Sequence, residues 1–328
     1  MPATEELSPA EQAALRARCS VFLAGHGQGT AADLLAGIPA STVTDRYGDG
    51  GVVSELEAEI AGLLGKPAAV FLPSGTMAQQ SVLRVHADRR QRKTIIFHPM
   101  CHLDRHEGGA YQRLHGLTGR PAGDPDRLMT LNDLTAIGEP AAALLIELPQ
   151  RDLGGQQPAW EDLTAQVEWA RGQGAAAHLD GARLWESAAG YGRPPAEIAA
   201  LFDTVYVSFY KGIGALPGCC VAGPADLLAE VREWRQRMGG TLFGLWPHAA
   251  SALTCLRRRL PLMPAYLGHA RAIAAARQLA TEQGIWAWPK AMATIDPRVQ
   301  RVEFSVGDAT CTLEPDRIRD IIAALIGR

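Results

Sequence analysis

Short apolar runs alternate with amphipathic stretches through the middle of the chain. The apolar runs are PAAVFLP near residue 70, TIIFHP near 96, ALLIELP near 146, AAAHLD near 178 and DTVYVSFYK near 207. Their length and their Gly, Pro or Asp boundaries are typical of buried strands. Between them, TMAQQSVLRVHA and PAWEDLTAQVEWARGQG have the apolar spacing of helices. This alternation predicts an α/β fold with a mostly parallel sheet that is covered on both faces.

The segment ELEAEIAGLL predicts a further helix before the first strand. Ser54 and Glu57 have the spacing of a capping box at its start, and Gly65 stands where a C-terminal glycine belongs.

The last third of the chain has a different pattern. Helical spacing runs from about Pro224 to Gln278 and is followed by RVEFSVGDA and a final helix, PDRIRDIIAALI. We therefore expect an N-terminal helix and arm over residues 1–51, a large domain over 52–250 and a small C-terminal domain over 251–328.

Composition and charge narrow the function classes. The chain has 328 residues, of which 47% are hydrophobic and 20% charged, as in globular proteins. Its net charge of −3 gives no basic field for nucleic acid. The N-terminus lacks the features of a secretion signal, and no apolar window is long enough for a membrane span, so we expect a cytoplasmic protein without a membrane partner. The six cysteines have no CxxC spacing, which favours reduced packing residues and no metal site.

Two segments carry opposite charges to the ends of predicted strands. In HLDGARLWES an apolar run ends at Asp180, and in VYVSFYKGIGALPG a second run delivers Lys211 just before two glycines. Ligands gather at the carboxyl ends of strands in such sheets. A lysine can form a Schiff base with an aldehyde, and an acid can keep a pyridine nitrogen protonated. The pair therefore predicts a site for pyridoxal 5'-phosphate, although either residue alone would fit a surface lysine or a helix cap.

The sequence resembles the threonine aldolase family, within the β-eliminating lyase group of fold-type I pyridoxal-phosphate enzymes. The resemblance runs from about Tyr47 to Ala250, and its motifs are YGDGGVVSELE, LPSGTMAQQ, CHLDRHEGGA, HLDGARLW and YKGIGALPG, in the family's order. It implies a mostly parallel, seven-stranded sheet in the large domain and a smaller C-terminal α+β domain.

The resemblance also implies roles for individual residues. Lys211 would carry the Schiff base and Asp180 would bind the pyridine nitrogen. Arg183 would reach the phenolic oxygen and the substrate carboxylate, in keeping with the fit of a guanidinium to a carboxylate. His102 would stack on the pyridine ring and assist proton transfer.

The phosphate site is expected where a strand ends and Gly75 and Thr76 open a helix. Free N–H groups and the helix dipole favour an anion at such a position.

The sequence departs from the family at several positions. Gln150 stands where the family has a histidine, and glutamine cannot act as a base near neutral pH. Phe243 replaces an arginine that helps to neutralise the phosphate, and Tyr210 replaces a small hydroxylated residue before the lysine. A second carboxylate-binding arginine is expected at Arg301. These changes predict a divergent branch with an altered substrate pocket.

The expected reaction is retro-aldol cleavage of a β-hydroxy-α-amino acid, such as L-threonine or L-allo-threonine, to glycine and an aldehyde. The alternative is a β-eliminating or other amino-acid reaction that gives a keto acid. Glycines 25, 27 and 29 with Asp45 resemble a dinucleotide-binding loop only superficially, and a non-catalytic relative is a third class. The resemblance implies a homodimer or homotetramer with a small-molecule amino-acid substrate.

Overall fold

The computed structural model describes His26, residues 31–271, Asp308 and residues 310–325. Within these residues, one compact unit holds residues 31–268, and a second holds His26, residues 269–271, Asp308 and residues 310–325. The domain boundaries expected at 51 and 250 stay predictions, because much of both outer segments lies outside the described residues. Glycines 25, 27 and 29 also lie outside them, as do Arg301 and the rest of the segment RVEFSVGDA apart from Asp308.

Seven strands form one sheet in the large unit. They are β1 (Ala68–Leu72), β2 (Thr94–Phe97), β3 (Thr118–Pro121), β4 (Ala143–Glu147), β5 (Ala176–Gly181), β6 (Thr204–Ser208) and β7 (Cys219–Gly223). Their order across the sheet is β1-β7-β6-β5-β4-β2-β3. Only β7 runs antiparallel to its neighbours, β1 and β6. The carboxyl ends of the other six strands therefore lie at one edge of the sheet.

Helices connect and cover these strands. They are α1 (Ala31–Ala36), α2 (Gly51–Leu63), α3 (Gly75–Arg90), α4 (His102–Arg105), α5 (Ala110–Arg113), α6 (Leu131–Thr135), α7 (Trp160–Gly172), α8 (Leu184–Tyr191), α9 (Pro195–Ala200), α10 (Ala225–Arg237) and α11 (Trp246–Arg259). In the second unit, α12 spans Pro315–Leu325.

The core lies between the sheet and α3. Strands β1, β2 and β5 contribute apolar side chains that pack against Ala78, Val82 and Val85 of α3 and against residues of α10. Central strands such as β4 and β6 are buried along their whole length, as expected for parallel strands covered on both faces. The core thus fixes α3, whose N-terminus lies at the sheet edge, rigidly against the strands.

The structure confirms the α/β class and the five predicted strands. Two strands were missed: β3 has the polar sequence TGRP, and β7 contains Cys219 and Cys220, which the sequence analysis took only as packing residues. These two and the other described cysteines are free thiols.

The predicted capping box at α2 is wrong. The helix begins at Gly51, so Ser54 lies inside its first turns and accepts a hydrogen bond from the N–H of Gly50. Glu57 instead accepts a hydrogen bond from the N–H of Phe71 at 2.7 Å, which ties α2 to β1. The contact with β1, and not the local capping pattern, therefore determines where the side chain of Glu57 lies.

None of the helices in the described ranges has the length and apolarity needed to cross a membrane. The same ranges hold no cluster of side chains suited to a metal ion.

Candidate active site

The predicted site residues follow different strands that end at the same edge. Gly75 follows β1, His102 follows β2, Asp180 lies at the end of β5, and Lys211 follows β6. Arg183 comes three residues after Asp180, at the start of α8. The sheet topology thus gathers residues that are far apart in sequence.

Asp180 is a buried carboxylate in the centre of this edge, with 2% of its surface exposed. Its Oδ1 accepts a hydrogen bond from the N–H of Ala182 at 3.1 Å. Burial raises the pKa of Asp180, while the positive charges of Lys211 and then His102 lower it. Lys211 and a protonated His102 are therefore near enough to stabilise the ionised carboxylate.

Lys211 lies in the loop between β6 and β7. Its Nζ is 5.9 Å from the centroid of the Tyr210 ring. Burial raises the pKa of Tyr210, so this phenol stays neutral and can act as a hydrogen-bond donor. Tyr210 is the residue that replaces a small hydroxylated residue before the lysine.

His102 forms a pair with a buried acid. Its Nδ1 lies 3.1 Å from Oε1 of Glu107, whose other oxygen accepts a hydrogen bond from Nε2 of Gln80 at 3.3 Å. The hydrogen bond to Glu107 is the main cause that raises the pKa of His102, and burial opposes it. Because Nδ1 faces Glu107, Nε2 of the ring is left to exchange a proton with a ligand.

Glu147 is a site residue that the sequence analysis missed. It ends β4, lies directly across from Asp180 in the sheet and is 8% exposed. Its Oε2 accepts hydrogen bonds from the N–H of His102 at 3.0 Å and from Nε2 of Gln150 at 3.2 Å. Burial and the charge of Asp180 raise the pKa of Glu147 to about 7. In the sequence, Glu147 could have been recognised as an acid near the end of the apolar run ALLIELP.

The N-terminus of α3 has little space above Gly75. A side-chain carbon placed at Gly75 would lie 2.3 Å from Oη of the buried Tyr206, so only glycine fits there. The side chain of Ser74 makes no capping hydrogen bond. The first N–H groups of α3, including that of Thr76, are therefore not capped by Ser74, as an anion site at a helix N-terminus requires.

Arg183 extends along the first turn of α8 toward an acid. Its Nη1 lies 3.6 Å from Oε1 of Glu186. The side chain of Glu186 also fills the space beside Gly212, where an added Cβ would lie on its carboxylate. Glu186 therefore lies beside both Arg183 and the loop that follows Lys211. Glu186 was not predicted as a site residue from the sequence.

The departures from the family pattern have clear structural places. Gln150 is buried and its Nε2 also donates to the carbonyl of Met100 at 3.0 Å. Phe243 is 66% exposed, packs edge-on against Tyr47, and lies under the guanidinium of Arg46 at 5.7 Å. The guanidinium of Arg46 thus lies beside Phe243, whereas the family pattern has an arginine at position 243 itself.

Two histidines near His102 have structural partners. His98 binds the carbonyls of Asp124 and Arg127. His106 binds the buried Asp152 at 2.7 Å, and its ring centroid lies 5.2 Å from that of His102. These contacts fix both side chains within the protein framework.

These residues fit pyridoxal phosphate on features of the structure itself. The helix start at Gly75 offers N–H groups, and Asp180 offers a buried acceptor beside a lysine. One polar atom at this edge, Oγ of Ser208, is buried and has no hydrogen-bond partner of standard geometry among the described groups. Buried polar atoms of this kind mark a place where a polar ligand is accommodated.

A model of one protein family, described as Beta-eliminating lyase, matches residues 26–293. The chain belongs to the beta-eliminating lyase family. Among relatives in this family, an aldolase named vrtJ from Penicillium aethiopicum is 32% identical over 76% of this chain and 64% of its own length. Low-specificity L-threonine aldolase 1 from Arabidopsis thaliana is 29% identical over 63% of this chain and 60% of its own length. The chain thus spans less than two thirds of the length of each of these two relatives.

Two solved structures of the family cover the chain more fully. A protein from Exiguobacterium, described as an aromatic amino acid beta-eliminating lyase/threonine aldolase, is 35% identical with a TM-score of 0.83 and covers 93% of this chain and 96% of its own. A protein from Listeria monocytogenes, described as an L-allo-threonine aldolase, is 33% identical with the same TM-score and covers 94% and 96%. These neighbours confirm the predicted family and the fold-type I architecture, and the family indicates a lyase that uses pyridoxal phosphate.

Proposed function

We propose that this protein binds pyridoxal 5'-phosphate and cleaves a β-hydroxy-α-amino acid to glycine and an aldehyde. The observation that carries the proposal is the pair of His102 and Glu107, which presents a proton acceptor at the same sheet edge as Asp180 and Lys211. The similarity to proteins named as aldolases and threonine aldolases supports the same reaction class.

The cofactor would be held by residues at the ends of three strands, β1, β5 and β6. Lys211 would form the covalent link, Asp180 would face the ring nitrogen, and Gly75 and Thr76 would bind the phosphate through their N–H groups. Bound in this way, pyridoxal phosphate supplies an electron sink for the pair released when a bond to Cα breaks.

Arg183 would orient the substrate. Its guanidinium can donate two parallel hydrogen bonds to the substrate carboxylate, which fixes the rotation of the amino acid about its Cα. The rotation decides which bond to Cα is aligned for cleavage. Glu186, at 3.6 Å, would hold the guanidinium until a substrate carboxylate competes for it.

His102 would remove the proton of the β-hydroxyl group. Glu107 holds Nδ1 of His102, so Nε2 is the proton acceptor, and the negative charge of Glu107 stabilises the imidazolium that forms. Gln150 cannot accept this proton, and its bonds to Met100 and Glu147 fix its amide in place. We therefore assign the base to His102.

The test is incubation of the purified holoenzyme with L-threonine and with L-allo-threonine, followed by amino-acid analysis for glycine and an aldehyde assay. Equal amounts of glycine and acetaldehyde are the expected result. A keto acid with ammonia would favour the β-eliminating alternative, and no product from a panel of β-hydroxy amino acids would refute the proposed reaction.

The cofactor assignment has its own experiment. The wild-type protein should have a visible absorption band after incubation with pyridoxal phosphate, and Lys211→Ala should lose it. Lys93→Ala is the matched control, since Lys93 is exposed and directly precedes β2, at the end of that strand opposite to the site residues. Loss of the band in both variants, or in neither, would contradict the role of Lys211.

A further inference from the structure

A row of buried polar side chains crosses the apolar core beneath α3. Two histidines in this row, His86 of α3 and His178 of β5, are 1% and 0% exposed. The row contains, in order, Arg90, His86, Thr204, His178, Gln79 and Asp180. It begins near the surface at the end of α3 and ends at the candidate active site.

Consecutive members of the row are within hydrogen-bond distance. Nη1 of Arg90 lies 3.2 Å from Nδ1 of His86, and Nε2 of His86 lies 2.8 Å from Oγ1 of Thr204. The same hydroxyl lies 2.8 Å from Nδ1 of His178, and Nε2 of His178 lies 2.7 Å from Oε1 of Gln79.

The chemistry of the groups gives these bonds one direction. A guanidinium only donates, so Nδ1 of His86 accepts from Arg90. Burial lowers the pKa of both histidines, that of His178 to about 3, so both rings are neutral and each carries one N–H. His86 therefore donates from Nε2 to Thr204, and we assign the single O–H of Thr204 as the donor to Nδ1 of His178. His178 must donate from Nε2, and the atom it faces is the acceptor oxygen of Gln79.

The last member presents its N–H groups to Asp180. Because Oε1 of Gln79 is used by His178, its Nε2 is turned to the other side, and this amide lowers the pKa of the Asp180 carboxyl. Nε2 has no partner of standard geometry among the described groups, so the contact with Asp180 is longer or more bent than an ordinary hydrogen bond.

We propose that this chain of hydrogen bonds, in which every donor points from Arg90 toward Asp180, holds the Asp180 carboxylate ionised and oriented toward the site. Gln79 and His178 are then positioning residues for Asp180. The inference rests on the proposed cofactor role of Asp180.

Packing alone does not account for the row. Buried polar side chains cost free energy unless all their bonds are made, and apolar residues of similar size would fill the same space. The row joins a guanidinium to a carboxylate that burial disfavours in its charged form. Charge-assisted hydrogen bonds are stronger than neutral ones, so a fixed donor at Gln79 offsets part of that burial.

Neutron diffraction from a crystal of the protein tests the direction of the chain without any cofactor. We expect hydrogen on Nε2 of His178, on Nε2 of His86, and on Thr204 pointing to His178. Hydrogen on Nδ1 of His178 would reverse the chain and overturn the inference. This result does not depend on whether the protein binds pyridoxal phosphate.

Variants test whether the chain acts on Asp180. Gln79→Met should weaken the binding of pyridoxal phosphate to the apoprotein by about tenfold, since it removes the N–H group that faces the charged Asp180 carboxylate. Thr204→Val keeps the shape of its side chain and should weaken binding by a few fold, because it interrupts the row at a distance. Binding by both variants within twofold of wild type would refute the inference.

Gln166→Met is the matched control. Gln166 is a buried helix glutamine, 2% exposed, that donates to the carbonyl of Met129 at 2.9 Å and takes no part in the row. It should bind pyridoxal phosphate like wild type. An equal loss in Gln166→Met would assign the effect to general loss of structure, and no binding by wild type would refute the proposed function while leaving the neutron result valid.

Discussion

Glu147→Gln should change how the stability of the protein depends on pH. Glu147 is buried beside Asp180, and its pKa rises from an ordinary value of 4.5 to about 7 in the folded protein. Each unit of pKa difference corresponds to about 1.4 kcal/mol, so the shift is worth roughly 3 kcal/mol. Because the folded state binds this proton more tightly than the unfolded state, the free energy of unfolding falls as the pH rises from 4.5 to 7 and then levels off.

Glutamine does not titrate, so the variant lacks this part of the pH dependence. In the wild type, backbone N–H groups of His102 and Arg151 donate to the two oxygens of Glu147. The glutamine amide places an NH2 group against one of these donors, which lowers the free energy of unfolding by the same amount at every pH. The difference in unfolding free energy, variant minus wild type, should therefore increase by roughly 3 kcal/mol between pH 4.5 and pH 7.5.

Urea unfolding of the protein without cofactor, followed by tryptophan fluorescence at a series of pH values, measures this difference. Glu161→Gln, at an exposed position in the first turn of α7, is the control and should show a nearly constant difference. A constant difference for Glu147→Gln as well would refute the assignment of Glu147 as a protonated acid in the folded protein at pH 6.

Glu107→Gln should lower the pKa of His102 and shift the acidic limb of the kcat profile to lower pH, and an unshifted limb would argue against His102 as the base. Gln150→His should raise kcat for glycine formation about tenfold, as a second general base would, and an unchanged kcat would show that this position does not reach the substrate. Asp45→Ala should lower the free energy of unfolding in urea by about 3 kcal/mol, since three backbone N–H groups lose their acceptor, and a loss below about 1 kcal/mol would contradict this role.

The sequence predicted the strands that are apolar throughout, because burial on both faces leaves a continuous hydrophobic run. It did not predict β3, which is mostly exposed and pairs only with β2. It also did not predict β7, since alanine, glycine and cysteine give little strand signal. The capping box at Ser54 failed because Glu57 finds a long-range partner in Phe71.

Site residues at strand ends were accessible from the sequence, whereas their supporting residues were not. Asp180 and Lys211 each follow a recognisable apolar run, so their convergence could be anticipated from the parallel sheet. Gln79 and Glu147 gain their importance only from contacts with residues far away in the chain. No local pattern encodes such contacts.

The antiparallel insertion of β7 has a consequence for biosynthesis. The strand that leads into α3 joins the sheet only through β7, and the pairing of Leu72 with Cys219 spans 147 residues. During translation, β1 and the start of α3 therefore lack their partner strand until residue 223 has left the ribosome. Contacts of such long range form slowly and expose aggregation-prone edges. The candidate site is therefore completed late in synthesis, when β7 pairs with β1 and β6.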